Sequence, residues 1–85
     1  MKIAFSPSFL RQLKKCEPDL IDEALEKTDV FKKDQKNKSL KVHKLKGKLQ
    51  NRLSFSVNYK IRIVFKYLSS EEAILLAIGD HDIYR

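Results

Sequence analysis

The sequence predicts an α+β fold of two layers, with an N-terminal strand and a helical hairpin packed on a largely antiparallel β-sheet. Three observations carry this. Apolar residues recur at helical spacing between residues 7 and 33. The period changes to two from Leu53 onward. A continuous apolar run, Ala73–Ile78, then forms the last patterned segment. A chain of 85 residues has room for one domain, spanning 1–85, and one thin core.

The elements follow in order. Lys2–Phe5 alternates and reads as a first strand. Ser6-Pro7 starts a helix, because serine caps free amides and proline suits the first turn. Phe9, Leu10 and Leu13 continue it to about Lys15. Glu17-Pro18-Asp19 repeats the start signal, and Ile21, Ala24, Leu25 and Thr28 form the stripe of a second helix ending near Phe31–Lys33. Asp34–Ser39 is a polar loop. Leu40, Val42 and Leu45 are isolated apolar anchors in basic sequence. Leu53, Phe55 and Val57 then face the core, a turn follows at Asn58-Tyr59, and Ile61, Ile63 and Phe65 face the core again. Tyr59 and Tyr67 read as strand residues. Ser69-Ser70-Glu71 is a turn, and Ala73–Ile78 reads as a strand covered on both faces, ended by Gly79. The alternation leaves Arg52, Ser54, Ser56, Lys60, Arg62 and Lys66 on an open face, a platform for phosphates.

The charge agrees with that platform. The net charge is +7, but residues 35–66 carry ten basic residues and no acid, while the flanks are net negative. This asymmetry points to a polyanion, nucleic acid before membrane, since no basic amphipathic helix accompanies it. No apolar run approaches the roughly 20 residues of a membrane span, and the N-terminus does not read as a signal peptide. The lone cysteine, Cys16, excludes an internal disulfide and suits a reducing cytoplasm. It reads as a small apolar residue between the helices.

Few residues can do chemistry. Arg62 reads as central in a strand, where a guanidinium can grip a phosphate. The two histidines, His43 and His81, could serve as base and acid in RNA cleavage by the ribose 2′-OH. Asp80-His81-Asp82 is a poor metal site, because three adjacent residues seldom reach one ion. The expectation is no metal and no cofactor.

Three segments stand out: His43-Lys44-Leu45-Lys46-Gly47-Lys48-Leu49, Tyr59-Lys60-Ile61-Arg62-Ile63-Val64-Phe65, and Ile78-Gly79-Asp80-His81-Asp82-Ile83-Tyr84. Together they resemble the RelE/ParE toxin superfamily, nearest its YafQ and YoeB branches. The resemblance implies a RelE-like fold and the toxin of a type II toxin–antitoxin system. It implies a metal-independent mRNA endoribonuclease working in the ribosome. It assigns His43, Arg62 and His81 to catalysis, with Tyr84 near the terminal aromatic. Lys46 falls in the RNA-holding segment, and Lys44, Lys48, Arg52 and Lys60 extend its basic surface. The implied partners are a cognate antitoxin, the ribosome and mRNA, with a homodimer or a toxin–antitoxin hetero-oligomer as the assembly. Departures exist: Ser54, Phe55 and Ser56 stand where some relatives carry Lys and Arg. The superfamily also contains ParE-like DNA gyrase inhibitors, and a catalytically inactive antitoxin binder is a further alternative.

Overall fold

The computed structural model describes residues 1–46 and 51–80. Its elements are β1 (Lys2–Phe5), α1 (Pro7–Lys14), α2 (Pro18–Lys33), a 3₁₀ turn (Lys38–Leu40), β2 (His43–Lys44), β3 (Leu53–Ser56), β4 (Arg62–Ser69) and β5 (Glu72–Gly79). The five strands lie in the order β1-β5-β4-β3-β2. β1 runs parallel to β5, and the other neighbours are antiparallel. The predicted α+β architecture is present, with one strand more than the periodicity shows. That strand, β2, spans two residues, and two residues carry no period.

Local chemistry explains the helices. Ser6 Oγ accepts a hydrogen bond from the Phe9 amide at 3.0 Å, and Pro7 opens α1. Pro18 opens α2 in the same way. Along α2 the buried line is Ala24, Thr28 and Phe31, with Leu20 partly buried beside it. The predicted stripe differs here, because Leu25 is 47% exposed. Phe31 decides the rotation. Its ring lies 4.9 Å from Phe55 and 4.6 Å from Phe65, and seating this largest side chain turns Leu25 outward.

The sheet buries the face that the period-two pattern assigns to the core. Phe55, Val57, Ile63 and Phe65 are buried, and Leu53 and Ile61 pack against them. Three expectations need correction. β3 ends at Ser56, so residues 57–61 form a loop in which Asn58 Oδ1 accepts from the amides of Lys60 and Ile61. Tyr59 sits in that loop, 98% exposed, and is no strand residue. β5 is buried on its helix side, but Ile74, Leu76 and Ala77 are only half-buried, so its second face is incompletely covered.

The last part of β5 is held in an unusual way. β1 pairs it only from Glu72 to Leu75. Beyond that, the Ser6 amide donates to Leu75 O at 3.0 Å and Ser6 Oγ donates to Leu76 O at 3.3 Å. The Ile78 amide donates to Gln12 Oε1 at 2.9 Å. The chain leaving β1, and then α1, therefore continue the ladder by other means, so that backbone groups left without a strand partner are satisfied. This fixes Gly79 opposite Arg62 on β4.

Candidate functional site

Pairing across the sheet builds the site. His43 lies opposite Ser54, Ser56 lies opposite Arg62, and Arg62 lies opposite Gly79. Directly paired residues share a face, so His43, Ser54, Ser56 and Arg62 are all on the side away from the helices. Arg62 is the first residue of β4, not central in it, on a strand that is itself flanked on both sides.

Arg62 reaches back across the sheet toward β2. Its Nε donates to Ser54 Oγ at 2.9 Å, and its Nη2 donates to Lys41 O at 2.7 Å and to Ser54 O at 3.3 Å. Nη2 also stands 3.2 Å from His43 Nδ1. The open face is therefore less open than the alternation suggests. Ser54 is fully buried, Ser56 and Val64 nearly so. The guanidinium lies against Ser54, and Ser56 Oγ is turned to Asn58 O at 2.8 Å. These hydroxyls orient protein groups and do not form a free phosphate platform.

Lys41 is the contributor that sequence reasoning misses. It has φ 48°, ψ 49°, a left-handed conformation costly for a side chain with a Cβ. Its carbonyl meets Arg62 Nη2 and lies 3.3 Å from His43 Nδ1. A lysine carries no signal for positive φ, so only the structure reveals it. Ser54 had a weak signal, a small hydroxyl between two core positions of a strand.

The three-way contact defines what His43 can do. Nδ1 either accepts from Arg62, which leaves the proton on Nε2, or donates to Lys41 O, which leaves Nε2 as a lone pair. Exchange between these tautomers turns Nε2 from a hydrogen-bond donor into an acceptor with a free lone pair. His43 is exposed and so can meet a substrate.

Of the other predicted residues, Lys46, Arg52 and Lys60 are exposed. Lys44 is exposed too, but alternation puts it on the opposite side of β2 from His43. None of these four is ion-paired among the described residues. Lys48, His81 and Tyr84 lie outside the described residues. Cys16 donates to Gln12 O at 3.4 Å, and burial pushes its thiol above the ordinary value of 9.0. Among the described residues no three His, Cys, Asp or Glu side chains stand together as metal ligands, and no helix is long and apolar enough to cross a membrane.

Solved structures share this fold. YafQ from E. coli superimposes with a TM-score of 0.79 at 13% identity, over 96% of this chain and 94% of that one. A YoeB/ParE toxin from Agrobacterium tumefaciens gives 0.77 at 15%, over 95% and 99%. The RelBE2 toxin–antitoxin complex from Mycobacterium tuberculosis gives 0.77 at 14%, over 94% and 96%. The chain has the RelE-like toxin fold. No protein-family model and no curated protein matches it. Identities this low establish the fold. The Arg62 cluster sits on the face of β3 and β4 away from the helical hairpin.

Proposed function

We propose that this chain is the toxin of a type II toxin–antitoxin pair, a member of the RelE/ParE superfamily that cleaves mRNA in the ribosome without a metal. The observation that carries this is the contact between Arg62 and His43, held by Ser54 and Lys41 O on the face away from the helices. In the reaction the ribose 2′-oxygen attacks its own phosphate, and the bond from phosphorus to the 5′-oxygen breaks. The products are a 2′,3′-cyclic phosphate and a free 5′-hydroxyl. His43 takes the 2′-OH proton in its Nε2 lone-pair tautomer. His81, assigned by the resemblance, protonates the leaving 5′-oxygen, with the roles exchanged as the other possibility. Arg62 supplies fixed positive charge to the phosphorane. Lys46, Lys48, Arg52 and Lys60 attract the RNA, Lys44 does so from the far side of β2, and Tyr84 completes the terminal segment. A cognate antitoxin that covers the basic surface is the natural inhibitor.

A second reading has one observation behind it. Arg62 donates to three protein acceptors, as a purely structural arginine would. That suits a ParE-like DNA gyrase inhibitor or an inactive antitoxin binder. Primer extension on translated mRNA after induction, beside a gyrase supercoiling assay, separates the readings. Cleavage that disappears in Arg62→Ala, with antitoxin binding retained, supports the nuclease. A folded Arg62→Ala protein that still arrests growth and blocks supercoiling refutes it.

A further inference from the structure

A concave region lies on the helix side of the sheet. It is a groove of about 450 Å³ lined by Gln35, Lys36, Asn37, Lys38, Lys41, Val42 and Tyr67. Tyr67 lies opposite Ala73, a core residue, and its ring meets Phe65 edge-on at 5.5 Å, so it faces the helix side. The groove opens where α2 ends and the 3₁₀ turn begins.

Its hydrogen-bonding character is one-sided. The Tyr67 hydroxyl donates to Gln35 Oε1 at 2.7 Å. The Ser39 amide and hydroxyl both donate to Asn37 Oδ1, at 2.9 Å and 2.7 Å. Asn37 Oδ1 thus accepts two protein donors and Gln35 Oε1 one, and each amide keeps its NH₂ group to offer. Three lysines complete the lining and no acid joins it. Asp34, which precedes Gln35 in the chain, accepts from the Lys36 amide at 3.3 Å. A groove that presents donors and cations selects a ligand rich in anionic oxygens.

We propose that this groove binds the phosphate backbone of single-stranded RNA, with a base against Tyr67, outside the cleavage site. The proposal rests on the RNA reading given above. Two features favour RNA over an acidic peptide. Lys41 lines the groove while its carbonyl holds Arg62, so groove and site meet around the β2 edge, and one polymer leaving the site enters the groove. Tyr67 is 39% exposed and fixed at both its ring and its hydroxyl, a rigid aromatic surface among lysines of the kind on which bases stack.

The test is nitrogen-correlated NMR on the intact protein with a 2′-O-methyl hexaribonucleotide, which cannot be cleaved, at low salt. The Gln35 and Asn37 side-chain amides should shift together with His43. The Lys36→Ala/Lys38→Ala double variant, whose substitutions are at exposed positions, should bind several-fold more weakly. Its slope of log affinity against log salt should be flatter by roughly 1.4, at about 0.7 per single-strand phosphate contact. Movement of His43 alone, with silent groove amides, overturns this proposal and leaves the nuclease reading standing. Silence on both faces overturns both. A groove that answers a polyglutamate peptide as strongly as the oligonucleotide is a site for an acidic protein segment, and the RNA assignment fails.

Discussion

Replacing Ser54 by alanine deletes one buried oxygen and nothing else of size. That oxygen is the acceptor for Arg62 Nε at 2.9 Å, in a fully buried side chain. A hydrogen bond to a charged donor contributes about 1.5–3 kcal/mol, and an unsatisfied buried donor costs about as much. Arg62 is only half-buried, so water recovers part of the loss, and about 1–2 kcal/mol of destabilisation remains. For a chain of this size that lowers the melting temperature by roughly 4–16 °C, at about 4–8 °C per kcal/mol. The decisive assay is a double-mutant cycle in urea with Ser54→Ala, Arg62→Met and both together. A coupling of about 1 kcal/mol or more is expected. Additive effects would refute the idea that the Ser54 hydroxyl holds the guanidinium.

Three further outcomes follow from the same geometry. His43→Gln should lower cleavage on the order of 10²–10⁴-fold while the melting temperature changes little, measured by primer extension and thermal melts. RNA affinity should fall steeply with salt, and Lys46→Ala should flatten the slope by about 0.7, read by fluorescence anisotropy across a salt series. Burial raises the pKa of both the Cys16 thiol and the Tyr67 phenol from their ordinary values of 9.0 and 10.0. Above pH 9 the unfolded chain therefore loses protons that the folded chain keeps, and stability falls as pH rises. Urea midpoints at pH 8 and pH 10.5 should show that loss, and a Cys16→Ala/Tyr67→Phe protein should show less of it.

The legible part of this fold is the part with repetition in it. Ser6-Pro7 marks a helix start through a cap bond and Pro18 marks one through its fixed φ, and Leu53 to Phe65 alternates long enough to assign a buried face. The order of elements follows from these. The site is legible only as a set of residue types. Arg62 and His43 could be named, but their meeting depends on a two-residue strand and on a lysine in a left-handed conformation. Neither leaves a pattern, since two residues show no period and Lys41 is held in place by its surroundings. The stripe of α2 fails for a related reason: periodicity ranks faces by hydropathy, whereas the aromatic cluster around Phe31 chooses among them by shape.

The two halves of β5 come apart by different routes. From Glu72 to Leu75 the strand is stitched on both edges, and freeing it means unzipping a ladder. From Leu76 onward one edge is fastened by the side chains of Ser6 and Gln12. Such fastenings release singly, for about 1 kcal/mol each. The stretch that sets Gly79 beside Arg62 is consequently a latch mounted on a fixed frame, and its catch is on α1. A force applied to α1 is thereby delivered to the residue paired with Arg62.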